Sequence, residues 1–481
     1  MLPGCQTSCE PAPPTSPADD TDEVTRNCDE AGFITREDQF LSGWYPENIT
    51  RDLMLWTDEH GGSWVVVSSS DTEKYIDNDD ITDHVLFKRV KDLPPADGEP
   101  FFPSDAELRI STDPPSYWWG SDLARYRSEG LPDALVVSCG GYPAGDEGEG
   151  RLFLYSDPLA RAGADQQALM SWTEADAWIE ASGTQVRFAR TYTTGPATTE
   201  SERSLLVLEY RTADSTEAPW EIAVFDDLEP GQSTSGDAKL ILQSETYYSG
   251  GGDDTFAVVG DLDGDGLSEL AFGEPWESTP TGSGQFHVVP GGLQGTLALD
   301  DVGALVQPEH GGFAAKIILG ELDIDGDGLH DLAVSSPYTG YADAHDTLSW
   351  CGAVFLYSGA DLSRGETGAH ATVMGHLAYE ELGHLGLVRC GSNHVGINGG
   401  AHEYCDTVNN GIVYVVPSDL EGTHWVDEVA QLALTGDEPG RKVVPGLEYD
   451  EVHGQLVLGA ASVPNGEYDS TGMVYLLDID L

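Results

Sequence analysis

Asp261-Leu-Asp263-Gly-Asp265-Gly-Leu267-Ser-Glu269 and Asp323-Ile-Asp325-Gly-Asp327-Gly-Leu329-His-Asp331 decide the reading of this chain. Each stretch sets acidic side chains at positions 1, 3, 5 and 9 of a short loop. Glycines at 4 and 6 permit a tight curl, and the backbone carbonyl at 7 can turn inward. A crowd of hard oxygen donors suits Ca²⁺, which takes about six to eight of them in loose geometry. Four like charges on so small a loop repel one another strongly unless a cation joins them. The spacing therefore predicts two calcium sites. One takes Asp261, Asp263, Asp265, the carbonyl of Leu267 and Glu269; the other takes Asp323, Asp325, Asp327, the carbonyl of Leu329 and Asp331.

The flanks exclude an EF-hand, whose loop needs a bidentate glutamate at position 12 and a helix on either side. Position 12 is Phe272 in the first loop and Val334 in the second. The neighbouring runs Phe256-Ala-Val-Val-Gly260, Leu270-Ala-Phe-Gly, Lys316-Ile-Ile-Leu-Gly320 and Leu332-Ala-Val-Ser are short, apolar and rich in β-branched residues. They read as buried strands, so each acidic loop joins two strands. The stretch from Gly260 to Pro275 resembles the FG-GAP repeat of integrin α-subunit propellers and their bacterial relatives. The second copy, Gly320 to Pro337, carries Glu321-Leu322 as extra residues before position 1. Phe256-Ala257 and Phe313-Ala314 stand where the family usually shows Phe-Gly. The resemblance implies an all-β fold of propeller blades, with Ca²⁺ in the loop between the first two strands of a blade.

Self-similarity extends the pattern along the chain. Strand pairs recur without the acidic loop at Ser63–Ser68 and His84–Lys88, Asp133–Ser138 and Arg151–Ser156, and Ser204–Leu208 and Trp220–Phe225. They recur again at Leu385–Val388 and Gly411–Val416, and at Gln455–Gly459 and Gly472–Leu477. With the two acidic copies this makes seven units at roughly 55–70-residue spacing, which suits strand-built propeller repeats with long loops. The expected organisation is a tether over 1–32 and one β-propeller over 33–481, with blades near 42–92, 105–158, 185–228, 238–293, 297–362, 370–420 and 430–481. The sequence ends just after the third strand of the last unit, which leaves an open edge. The segment from Phe33-Ile-Thr35 to Phe40-Leu41 is expected to supply the missing strand and latch the ring.

Charge sets the environment. The chain has 84 acidic and 22 basic residues, a net charge of −62, which two calcium ions barely offset. Such a surface argues against nucleic-acid and anionic-membrane partners and suits a saline, divalent-rich extracellular medium. No apolar run is long enough for a transmembrane helix. Residues 10–24 are proline-rich, polar and acidic, as a tether should be. Leu2-Pro-Gly-Cys5 looks like the end of a bacterial lipoprotein box, with Cys5 the residue to be lipidated; the alternative is a disulfide at Cys5. Cys390 and Cys405 face each other across one predicted hairpin, a candidate disulfide, and Cys9 with Cys28 is a second. Cys139 and Cys351 fall in the second and fifth units, too far apart in a ring to pair with each other.

Few residues call for catalysis. The chain lacks Gly-x-Ser-x-Gly, His-Glu-x-x-His, a phosphate loop and Cys-x-x-Cys, so no catalytic residue is nominated. His370, His376, His384, His394 and His402 gather in the sixth unit without the tight spacing of a zinc site and read as loop histidines. Tyr117-Trp118-Trp119 is either propeller packing or a stacking platform for a sugar. The run Asp77-Asn-Asp79-Asp80-Ile-Thr-Asp83 reads as a solvated loop. In the second unit Arg125 and Arg127 hold positions 1 and 3, Glu129 position 5 and Asp133 position 9, so guanidinium groups are candidates to replace the ion there. The leading functional expectation is a calcium-binding, non-catalytic recognition or adhesion module at the cell surface, taking a protein or carbohydrate on the propeller face. The alternatives are a secreted polysaccharide lyase or hydrolase and a structural envelope component.

Overall fold

The computed structural model describes strands at 32–34 and 39–42 and then residues 53–479, except 59–60, 70–83, 91–105, 112–118, 128–132, 140–149, 163–167, 182–191, 199–202, 212–219, 245–254, 280–281, 310, 343–346, 349, 378, 401–410, 437–441, 451–452 and 466–467. Seven sheets of four or five strands follow one another along the chain. The first three strands of each blade form an antiparallel meander. Blade 1 begins Leu53–Thr57, Ser63–Ser69, His84–Arg89, and blade 2 Trp119–Tyr126, Ala134–Cys139, Arg151–Ser156. Blade 3 begins Tyr192–Pro196, Ser204–Arg211, Trp220–Phe225, and blade 4 Phe256–Gly260, Glu269–Thr279, Gly282–Val289. Blade 5 begins Ile318–Leu322, Asp331–Ser336, Ala353–Tyr357. Blade 6 begins Leu387–Cys390, His394–Gly399, Ile412–Pro417, and blade 7 Lys442–Asp450, Gln455–Asn465, Tyr468–Asp478.

The first strands of successive blades touch around a full circle, blade 7 meeting blade 1, so the molecule is a seven-bladed β-propeller. Alternation of side chains along a strand explains how the ring holds together. In Ser63–Ser69, Trp64 and Val66 pack toward blade 2 while Val65 and Val67 pack toward blade 7. Leu135 and Val137 likewise face blade 1, and Ala134 and Val136 face blade 3. One apolar cluster fills each of the seven junctions between neighbours. A strand buried on both faces must be apolar at nearly every position, which is why the middle strands read as continuous hydrophobic runs.

Short fourth strands complete the blades, for example Leu108–Ser111 in blade 1 and Ala304–Val306 in blade 4. Before laying down its own fourth strand, the chain often visits the preceding blade. Ala168–Ser171 runs parallel to the fourth strand of blade 1, then returns as Ala177–Glu180 in blade 2. Gly231–Thr234, Gly295–Ala298 and Gly422–Trp425 do the same for blades 2, 3 and 5. These outer strands cover edges that would otherwise template aggregation. The N-terminal segment obeys the same rule across the ring's seam. Gly32–Ile34 pairs with the outer strand of blade 6, and Gln39–Ser42 pairs antiparallel with Tyr468–Asp478 as the fourth strand of blade 7. The expected latch is therefore present, and it joins two blades rather than one.

Candidate metal loops and the opposite face

Both acidic loops connect the first and second strands of adjacent blades, 4 and 5, at one face of the ring. Glycines at positions 4 and 6 hold φ between 75° and 87°, the left-handed region the curl requires. In the first loop, Asp261 is buried and accepts from Gly264 N–H at 2.7 Å and Gly266 N–H at 2.9 Å. Asp263 and Asp265 are exposed and accept from Asp265 N–H and Leu267 N–H. The second loop repeats the last two bonds with Asp325 and Asp327. Ligand oxygens of Asp261, Asp263 and Asp265 converge within 4.8 Å of one another, as do those of Asp323, Asp325 and Asp331. Glu269 and Asp327 stand outside these two groups.

Position 9 has a second job. Glu269 accepts from Leu262 N–H at 2.7 Å and from Gly291 N–H, just past the third strand, at 3.1 Å. Asp331 accepts from Ile324 N–H at 2.6 Å and Gly359 N–H at 2.7 Å. Each carboxylate thus staples its loop to the end of the third strand. Burial pushes Glu269 up to about 7 and Asp331 up to about 6, against the pull of those backbone donors. The neighbouring aspartates of each loop add to the rise. A set of hard oxygens whose buried position-9 carboxylate is costly to ionise without a counter-ion fits a divalent cation.

The loops are also tied to each other. His330 N–H donates to the carbonyl of Asp261, and Asp261 N–H donates to His330 Nδ1, both at 2.9 Å. Gly260, at φ +84°, admits this approach, since a Cβ there would overlap the His330 ring. In blade 2 the carboxylate at position 9, Asp133, is paired with cations of the protein itself. Arg125 and Arg127 both pair with Asp133, Arg127 Nε at 2.9 Å, and the Arg125 guanidinium lies 4.8 Å from the ring of Trp56 in blade 1. Glu129 lies outside the described residues.

A family model for the FG-GAP repeat matches residues 255–289, the first strand, acidic loop and next two strands of blade 4. Blade 4 is an FG-GAP repeat. No curated protein matches the chain. The match covers the repeat with the clearest sequence signal; blade 5 repeats its acidic loop, and the remaining blades share its strand pattern without a loop of acids at positions 1, 3, 5 and 9.

The opposite face carries what the sequence did not nominate. Trp276 lies at the far end of the second strand of blade 4, Phe313 in the connection to blade 5, Tyr338 and Trp350 between the second and third strands of blade 5, and Tyr379 in the connection to blade 6. Their rings touch in series: Trp276–Phe313 at 4.2 Å, Phe313–Tyr338 and Tyr338–Trp350 at 5.3 Å, and Trp350–Tyr379 at 5.6 Å between centroids. His384 meets Tyr338 edge-on and pairs with Glu381 at 2.5 Å. Of the aromatic run singled out in the sequence, Tyr117 and Trp118 lie outside the described residues and Trp119 opens the first strand of blade 2.

The histidines of the sixth unit do not converge. His376 pairs with Asp427, His384 with Glu381 and His394 with Gln431, while His370 donates its backbone N–H to Leu356; His402 lies outside the described residues, as does the run 77–83. Cys390 is a free, buried cysteine whose thiol burial pushes up to about 12, and Cys139 and Cys351 are buried. Cys405 and Cys5 lie outside the described residues, and so do Cys9 and Cys28. Among the described residues no helix is long and apolar enough to cross a membrane.

Proposed function

We propose that this β-propeller is an extracellular, calcium-binding, non-catalytic recognition or adhesion module, tethered at the cell surface through residues 1–32 with Cys5 as the lipid anchor. One observation carries the reading: the convergent carboxylates and the exposed aromatic rings occupy opposite faces of one ring. Ions bound by Asp261, Asp263, Asp265, Leu267 and Glu269, and by Asp323, Asp325, Asp327, Leu329 and Asp331, would act on the scaffold, far from the surface offered to a ligand. Ca²⁺ supplies charge neutralisation and loop rigidity there. The position-9 carboxylates fix the loops to the third strands, and His330 passes order from one blade to the next. The test is a screen of glycans and cell-surface proteins with the full chain, with and without Ca²⁺, alongside melting curves. Calcium should raise the melting temperature, and captured ligands should leave chemically unchanged. An unmoved melting temperature would overturn the calcium assignment, and turnover of a captured glycan would overturn the non-catalytic one.

A further inference from the structure

The run of rings on the face opposite the acidic loops is unusual in composition, exposure and backbone. Among the described residues four large hydrophobic side chains are exposed, and three of them, Trp276 (57%), Trp350 (50%) and Tyr379 (45%), belong to this run. The fourth, Leu305, sits on the outer strand of blade 4. An interface built for a protein would mix aliphatic with aromatic groups at its centre, whereas this patch presents rings alone.

The rings are also held in place at a cost. Phe313, Trp350 and Tyr379 have φ of 65°, 53° and 62°, a region that bulky residues rarely occupy. Backbone strain of this kind, concentrated on one constellation, is a mark of a preorganised site. Hydrogen bonds keep it fixed: Phe313 N–H donates to Ser283 Oγ at 2.8 Å, Tyr338 N–H to the Gly312 carbonyl at 2.9 Å, and Glu381 N–H to the Trp350 carbonyl at 3.0 Å. Exposure lies at the two ends of the run, with Phe313 only 9% exposed between them. A ligand touching both ends must therefore be extended, with several flat apolar faces in series.

Charge complementarity selects among extended ligands. A chain of net charge −62, with Glu277 and Glu381 beside the exposed rings, repels polyanions. The Glu277 carboxylate beside Trp276 can accept hydrogen bonds from hydroxyl or ammonium groups, and the rings offer faces to the C–H side of a pyranose. A lone cation could use ring faces too, but it would reach one end only, and the Glu381 carboxylate is already engaged by His384.

We infer that the run from Trp276 to Tyr379 is a carbohydrate-binding platform for an uncharged or amine-bearing oligosaccharide, stacked on Trp276 at one end and on Trp350 and Tyr379 at the other. The inference rests on the reading of this face as the recognition surface. Full-length, calcium-loaded protein is titrated calorimetrically with chitohexaose, cellohexaose, a chitosan oligomer and alginate, in parallel with Trp276→Ala, Trp350→Ala and Tyr379→Ala. All three side chains are exposed, so melting temperatures should stay near that of the unsubstituted chain and certify the fold. At least one neutral or amine-bearing glycan should bind and alginate should not. Each substitution should weaken binding by about tenfold, the worth of one lost aromatic contact, Trp276→Phe should retain most of it, and Trp276→Ala with Trp350→Ala should abolish it. Binding of none of these glycans, or binding indifferent to the substitutions, overturns the inference. Ring-dependent binding of a Lys/Arg-rich peptide without any glycan overturns it too, yet leaves the face as a recognition surface. If the ring variants also match the unsubstituted chain across the whole ligand screen, the recognition reading falls with it.

Discussion

In chelator the stability of this protein should fall as pH rises from about 4 to about 7.5. In the metal-free chain, Glu269 is raised from 4.5 to about 7 and Asp331 from 3.8 to about 6, in both cases chiefly by burial. Between the unfolded and folded values the folded chain keeps a proton that the unfolded chain has already lost, so it binds more protons and loses stability as pH increases. The contribution is full below about pH 4 and gone above about pH 7. At 1.36 kcal/mol per pH unit each group is worth up to about 3 kcal/mol, about 6 kcal/mol together. For a ring of this size unfolding as one unit, that corresponds to a fall in melting temperature of about 6 °C. The assay is differential scanning calorimetry in chelator across the pH range, repeated with saturating Ca²⁺, which should flatten the slope by binding the ionised loops. General repulsion among the acidic residues has the same sign, so the series is run in about 0.5 M salt, where exposed charges are screened beyond a few ångströms. Glu269→Gln with Asp331→Asn must then remove most of the remaining slope. A slope unchanged by that double substitution, or stability rising with pH in chelator, would refute the argument.

Three further outcomes follow from the geometry. Asp265→Ala and Asp327→Ala should abolish the calcium-induced rise in melting temperature, which at ten times the dissociation constant is about 1.4 kcal/mol per site by mass action, as read in melting curves with and without chelator. Gly284→Ala should destabilise by more than about 2 kcal/mol in denaturant titrations, because Gly284 sits at φ +92° and an added Cβ would overlap the backbone of Ala314, next to Phe313. Deleting residues 1–42 strips the outer partner of Tyr468–Asp478, so the product should associate through that edge on light scattering, whereas deleting 1–31 spares both pairing strands and should leave a monodisperse ring.

The middle strands were legible because burial on both faces forces an apolar run such as Ser63-Trp-Val-Val-Val or Asp133-Ala-Leu-Val-Val, and the acidic loops because four acids on one short loop repel one another strongly. The fourth strands were not. Ala304–Val306 is three residues long with Ala304 and Leu305 exposed, and Gly295–Ala298, which stitches blade 4 to blade 3, is mostly exposed. Short edge strands carry little pattern because they bury little. Glu269 was legible as a loop acid, but its bond to Gly291 depends on where the third strand ends, which loop spacing does not encode. The ring run escaped for a related reason: its members span 276 to 379 and meet only because successive blades bring their connections to one face. Adjacency along the chain pointed to Tyr117-Trp118-Trp119 instead.

Blade 2 shows what the ninth position requires. Asp133 stands where Glu269 and Asp331 stand, and its oxygens take Arg125 and Arg127 in place of an ion. The sequence around it, Arg125-Tyr-Arg127-Ser-Glu129-Gly130-Leu131-Pro-Asp133, keeps an acid at 5, the glycine at 6 and the leucine at 7, so only positions 1 and 3 differ in charge from a metal loop. Arg125→Ala should cost about 1–2 kcal/mol, from the half-buried ion pair and the contact with Trp56, and calcium should not restore it, because no carboxylates stand at 1 and 3. Arg125→Asp with Arg127→Asp should be worse still in chelator, with four acids on one loop, yet should regain stability in Ca²⁺ and bind one more ion per chain than the unsubstituted protein. If the double substitution stays destabilised at saturating calcium, the guanidiniums hold this loop by packing rather than by charge. Recovery would show that a blade needs a cation at this corner and that either an ion or two arginines can supply it.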